Sequence, residues 1–205
     1  MDVQLCEPDV SPLQLQGPKS REIIRKIFGN EIANLKYYRL KKIEFEKIPL
    51  VISRTGWSSE LGYEIFLCDK NKGNILWNKI MDLGKPLGLK PGHTSTIRRV
   101  EGAMISYHAD INSDNNPYEI GLERLINLDK KDDFIGKSAL KKIKKNGVKN
   151  KLIGLIINCE PFKYPNNEFW EVILNEKIIG KVTSAIYSPR LKKNIALALS
   201  LIHIS

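Results

Sequence analysis

No apolar run in this sequence approaches the roughly 20 residues that a membrane-spanning helix needs, so no segment reads as a membrane span. Cysteine is scarce. Cys6, Cys68 and Cys159 are widely spaced and odd in number, which excludes a disulfide framework or a zinc cluster and fits a reducing compartment. The expected location is cytoplasmic, because "MDVQLCEPDVSP" also lacks the basic and apolar regions of a signal peptide. No P-loop, dinucleotide fingerprint, HExxH, GxSxG or CxxC occurs, which removes the commonest nucleotide, zinc-protease, serine-hydrolase and thiol-redox chemistries. Histidine is equally sparse, and His93 and His108 do not stand at ligand spacing. "HADINSDNNP" carries Asp110 and Asp114 but lacks the glycine and terminal glutamate of a calcium loop. No metal is expected.

Acidic residues are outnumbered. Against 23 Asp plus Glu stand 33 Lys plus Arg, a formal charge of +10 over 205 residues. Such a surface attracts polyanions, so a basic nucleic-acid-binding module is one reading. The excess is mostly lysine, the weaker reader of base edges, and no basic run is interleaved with aromatics as a single-strand binder requires. The partner expected on these grounds is neither nucleic acid nor membrane.

Periodicity gives mixed elements. "LQLQG", "PLVISR" and "YEIFLC" read as strands. "PKSREIIRKIFGN" reads as a helix stopped by Gly29, and "NKGNILWNKIMDLGKP" as a second, amphipathic helix. A helix is expected after Thr94 or Ser95, a strand at "IGLERLINLD", and a basic helix at "GKSALKKIKKNG". Strands and helices do not alternate regularly, which predicts α+β rather than a doubly wound sheet. After a basic stretch around 140–151 the pattern is all strand: "KLIGLIIN", "FWEVILN", "KIIGKVTSAIYS" and "NIALAL". Four strands open a small β-barrel without closing it.

The stretch "SRTGWSSELGYEIFL" poses the sharpest question, since Glu64 interrupts a strand-like apolar run. Alternation puts Tyr63, Ile65 and Leu67 on one face and Glu64 with Phe66 on the other. One reading is a solvent-facing glutamate on a two-faced strand. The other is a hydrogen-bond acceptor beside aromatic walls, suited to a flat heterocycle with adjacent N–H donors or to a cationic substrate. Spacing leaves both open.

The same stretch resembles the S-R-T-G-[YW]-x-x-x-x-G-[FY]-E-I signature of the folate-binding aminomethyltransferase family, which includes the glycine-cleavage T-proteins and dimethylsulfoniopropionate demethylase. "LQLQGPKS", "RRVEGAMISYHADIN", "NPYEIGLERLINLD", "DFIGKSAL" and "GKVTSAIYSPRLKKNIALAL" resemble further family motifs in family order, across nearly the whole chain. The resemblance implies tetrahydrofolate as cofactor, with Glu64 hydrogen-bonding the pterin ring and Trp57 and Phe66 as pocket walls. It gives Arg54 either a binding or a loop-ordering role. Trp57 stands where T-proteins carry Tyr, and the segment from Asn115 to Asp129 is closer to demethylase-like members. Phe66 replaces a Tyr of those members, keeping the ring and losing the hydroxyl. Ser95 aligns with an arginine of the T-proteins, with Arg98 and Arg99 just beyond.

The resemblance implies an α+β, partial folate-binding aminomethyltransferase core followed by an incomplete antiparallel β-barrel domain. The expected divisions are 1–130 for the core, 131–150 for a basic helix and linker, and 151–198 for the truncated barrel. Residues 199–205, "LSLIHIS", read as a non-native tail. The family's chain is about twice as long and Met1 falls inside its pattern, so the catalytic groups are expected in an N-terminal half outside this sequence. The implied activity is methyl transfer from a small sulfonium or amine donor to tetrahydrofolate, with dimethylsulfoniopropionate favoured. Aminomethyl transfer from a lipoyl carrier protein, as in T-proteins, and the folate-binding tail of a sarcosine or dimethylglycine dehydrogenase are the alternatives.

Overall fold

Apolar alternation builds the first sheet. The structure, a computed structural model that describes residues 2–201, places β1 (Ser11–Gln16), β2 (Leu40–Phe45), β3 (Ile48–Ser53) and β4 (Gly62–Leu67) in an antiparallel sheet of order β1-β4-β3-β2. Leu15, Tyr63, Ile65, Leu67, Leu50 and Ile52 are all buried on one face. They pack with Ile23, Ile24 and Ile32 of α1 (Ser20–Ala33) and Leu76 and Ile80 of α2 (Gly73–Gly84). Each such side chain contributes about 1.5–3 kcal/mol relative to exposure. Tyr63 also donates its hydroxyl to the Ala33 carbonyl at 2.6 Å, meeting one of the unsatisfied acceptors at the end of α1.

Two sequence expectations change here. Gly29 does not stop the first helix. It breaks it with φ 85°, and helical turns resume as far as Ala33, because Ile32 and Ala33 still gain a buried position. Strand β2 is absent from the sequence reading. Its link to β3 is a two-residue turn in which Glu46 and Lys47 both take positive φ, 50° and 66°. That geometry suits a tight hairpin, but neither residue is one of the usual Asn or Gly signals.

The chain divides into two compact units, Met1–Ser95 and Thr96–Ser205. The second holds α3 (Thr96–Glu101), α4 (Lys137–Asn146), β5 (Asn150–Ile157), β6 (Trp170–Leu174), β7 (Lys177–Ser188) and β8 (Lys193–Leu201). Its four strands form an open antiparallel sheet of order β5-β8-β7-β6. These are the four strands the sequence pattern gave. Leu199–Leu201 continue β8 and pair with β5; His203 and the rest of the expected tail lie outside the described residues. "IGLERLINLD" is not a strand. It is a loop with a single 3-10 turn at Glu123–Leu125, and Leu125 is exposed. The Asn116 side chain accepts from the Tyr118 and Glu119 amides at 3.0 and 3.2 Å, starting a turn just before the apolar run.

A buried ion pair ties α3 to the second sheet. Arg99 Nη1 donates to Asp110 Oδ2 at 2.5 Å, with the two residues 6% and 4% exposed. Asp110 also accepts from the Ser106 amide at 2.9 Å, Thr183 Oγ1 at 2.7 Å and Ser184 Oγ at 2.6 Å. Consecutive strand residues normally point to opposite faces. A register shift between Val182 and Ser184 lets Thr183 and Ser184 reach the same carboxylate.

Candidate functional site

The face of the first sheet opposite its helices carries the carboxylate. Strand register sets Leu40, Ser53, Glu64 and Gln14 in one row across all four strands, and Val51, Phe66 and Pro12 in the next. Glu64 and Phe66 are half-buried while Tyr63, Ile65 and Leu67 are fully buried. Alternation therefore sorts this strand as its sequence implied. A hollow of about 250 Å³ lies over this face, lined by Pro12, Leu13, Gln14, Glu64 and Phe66.

Both oxygens of Glu64 are engaged within the chain. Gln14 Nε2 donates to Oε1 at 3.0 Å, and the Thr55 hydroxyl donates to Oε2. Thr55 Oγ1 lies 2.6 Å from Ser53 Oγ. Two donors leave about half of a carboxylate's four acceptor positions unused. The carboxylate is thus held in orientation by neutral groups, and among the described residues no cation pairs with it.

Trp57 is half-buried on the loop between β3 and β4 and lies outside the lining of the hollow. Arg54 also lies outside it. Its Nη1 donates to the Gly62 carbonyl at 3.0 Å, and its guanidinium sits 5.6 Å from the Tyr37 ring centre and 5.4 Å from that of Tyr63. Arg54 clamps the two ends of the loop together. The Tyr37 phenol is held above its ordinary value near 10, first by its hydrogen bond to Tyr38, then by desolvation and the Tyr38 charge, with Arg54 opposing.

Three polar residues at this site escaped the sequence reading: Gln14, Gln16 and Thr55. Gln14 shares a face with Gln16 by simple alternation, but pairing with Glu64 is a matter of register, which no short stretch encodes. The "LQLQG" motif was the available signal.

The second unit has a larger hollow of about 640 Å³, lined mainly by β5, β8 and the segment around Gly102 and Ala103. It contains none of the candidate folate contacts, but Ile120, Gly121, Leu122 and Arg124 of the 115–129 segment help to line it. Glu101 at its margin is paired with Arg190 at 3.2 Å and with the Ser188 hydroxyl.

Comparison with known proteins places the whole chain in one context. The GCVT N-terminal domain family model matches residues 1–130, and that of the glycine cleavage T-protein C-terminal barrel domain matches 150–200. The dimethylsulfoniopropionate demethylase DmdA of Ruegeria pomeroyi is 36% identical over 199 residues, covering 97% of this chain and 53% of that protein. An aminomethyltransferase of Bacillus mycoides is 35% identical over 198 residues, covering 93% of this chain and 52% of its own length. The crystal structure of the glycine cleavage system aminomethyltransferase T of Bartonella henselae superposes with a TM-score of 0.76 at 20% identity, over 93% of this chain and 51% of that one. The fold is therefore shared. The chain spans about half the length of the curated relatives it matches.

Proposed function

Because this chain belongs to the glycine cleavage T-protein family, we propose that its protein is a tetrahydrofolate-dependent one-carbon transferase and that Glu64 anchors the pterin ring. The observation that carries this reading is the state of the Glu64 carboxylate. It is half-buried, oriented by Gln14 and Thr55, and faces a hollow walled by Phe66 and Pro12. A pterin presents adjacent N–H donors on a flat ring, which matches a carboxylate with spare acceptor positions beside an aromatic wall. Hydrogen bonds to a charged acceptor are among the stronger ones, about 1.5–3 kcal/mol each.

In this reading Phe66 walls the hollow, Trp57 stands outside it on the loop that carries Thr55, and Arg54 serves through the loop it clamps. Tetrahydrofolate supplies the acceptor nitrogen. This chain's residues hold and orient the ring, which is how a transfer between two bound small molecules is chiefly accelerated. The favoured donor is a small sulfonium, dimethylsulfoniopropionate. Trp57 and the segment from Asn115 to Asp129 lean that way in sequence, and the Phe66 ring in the hollow suits an onium cation. The second reading, aminomethyl transfer from a lipoyl carrier protein, is supported by the aminomethyltransferases at 35% identity. The units divide after Ser95, and the proposed folate contacts all lie before it.

The gene product carrying this chain, given dimethylsulfoniopropionate and tetrahydrofolate, should form methyltetrahydrofolate by chromatography. Turnover only with an aminomethylated lipoyl carrier would overturn the demethylase assignment. No folate binding by calorimetry would overturn the anchoring role itself.

A further inference from the structure

We propose that Gln16 is a positioning residue whose buried-side amide sets the shape of the Trp57 loop and, through Thr55, the orientation of Glu64. The second part rests on the reading of Glu64 as the pterin anchor; the first does not.

Gln16 is the last residue of β1 and stands opposite Gly62 in the register. Its side chain enters the loop that joins β3 to β4. There Oε1 accepts from Ser58 Oγ at 2.7 Å, while Nε2 points to the carbonyls of Thr55 and Tyr63 at 3.5 and 3.4 Å. The accepted bond is the strong one, and the two donated contacts are long. Ser58 in turn accepts from the Glu60 amide at 3.3 Å. One side-chain amide thus reaches the beginning, the middle and the far end of a single loop.

The two glycines of "TGWSSELG" follow from this. A methyl group built on Gly56 or on Gly62 would overlap the Gln16 amide in each case. The loop closes over Gln16 from both sides, and a Cβ at either position would displace the amide from the place it holds. The loop's own sequence offers little apolar material for an interior, since Trp57 and Leu61 are its only large apolar residues. A polar plug therefore does the work that a small core does elsewhere. Shape alone would be met by any side chain of this length. Both ends of the amide are engaged, so its orientation is used as well as its volume.

Each tie bears on the candidate site. Thr55, whose carbonyl faces Gln16 Nε2, gives its hydroxyl to Glu64. Tyr63, whose carbonyl is the other target, directly precedes Glu64 in β4. Ser58 directly follows Trp57. Gln16 lies outside the lining of the hollow over Glu64 and borders a separate one of about 330 Å³ at the start of α1, so its route to Glu64 runs through these residues.

The test uses Gln16→Met, which keeps length and loses the amide, and Gln16→Glu, which keeps an acceptor for Ser58 but cannot donate. The first readout needs no ligand. In a Trp77→Phe, Trp170→Phe background Trp57 is the only tryptophan left of the three in the chain. Gln16→Met should red-shift its emission and raise its quenching by acrylamide; Gln16→Glu, which keeps the Ser58 bond but sets an oxygen against the Thr55 and Tyr63 carbonyls, should shift it in the same direction by less. The second readout is tetrahydrofolate affinity by calorimetry. Gln16→Met should weaken it on the order of tenfold, the scale of one or two lost hydrogen bonds. Combined with Glu64→Gln, the loss should fall well short of the product of the two separate losses, because both act on one carboxylate. A lower melting temperature with unchanged Trp57 emission and unchanged folate affinity would overturn the proposal and leave a purely structural Gln16. Fully multiplicative losses would overturn the route through Glu64. If Glu64→Gln alone leaves folate affinity unchanged, the folate reading fails, and the Trp57 emission still decides the role of Gln16 in the loop.

Discussion

Replacing Glu64 by glutamine separates two contributions that a larger truncation would mix. The substitution keeps the shape of the side chain and removes its charge. Within the protein the lost contacts can be rebuilt. Gln14 can turn its amide to present oxygen instead of nitrogen, and the Thr55 hydroxyl can redirect toward Ser53, 2.6 Å away. Glu64 is only half-buried, so water can serve whatever is left over. The cost in stability is therefore under about 1 kcal/mol, the scale of one neutral hydrogen bond. A bound pterin has no such freedom. Its N–H donors would meet a neutral amide, half of which is itself a donor. The loss is about 1.5–3 kcal/mol, or roughly 10- to 150-fold in affinity. Calorimetric titration with tetrahydrofolate, paired with urea unfolding of the same variant, measures both quantities. Unchanged affinity would refute the anchoring argument. A loss of stability well above 1 kcal/mol would refute the claim that the surrounding donors can rearrange.

Other perturbations bear on different parts of the molecule. Arg99→Leu leaves the Asp110 carboxylate buried without its cation and should cost about 3–5 kcal/mol in urea unfolding; a change below 1 kcal/mol would mean the pair is not buried in solution. Tyr63→Phe should cost about 1 kcal/mol, from the hydroxyl that meets the Ala33 carbonyl. Gly62→Ala should weaken folate binding in the same direction as Gln16→Met, since the added methyl meets the same amide. For Tyr37 the folded-state phenol titrates above its unfolded value, so the folded chain holds that proton more tightly. Its contribution is complete below pH 10 and is lost as pH rises through the raised value. Absorbance titration of the phenolates should show a late-titrating component that Tyr37→Phe removes.

Local pattern carried the strands of the second sheet and the two-faced character of β4. Their apolar spacing is strong, and Pro, Asn and Gly separate them. It did not carry β2, because a tight turn at Glu46 and Lys47 has no Gly or Asn to announce it and is imposed by the twist of the paired strands. "IGLERLINLD" has apolar residues that suit a strand, but after one bond from Leu152 of β5 to the Glu119 carbonyl its amides at Leu122, Leu125 and Ile126 are met by local turns. Gly29 has the local signature of a helix stop, but it only breaks α1, and burial of Ile32 and Ala33 brings the helix back.

By itself the sequence determined that Glu64 and Phe66 share a face away from Tyr63, Ile65 and Leu67, since side chains alternate along any strand. Its motifs also determined the family. Only the tertiary structure decided what surrounds the carboxylate. Gln14 lies 50 residues from Glu64 and Gln16 lies 42 from Ser58. Hydrogen bonds across such separations depend on strand register and loop closure, which the whole sheet sets together.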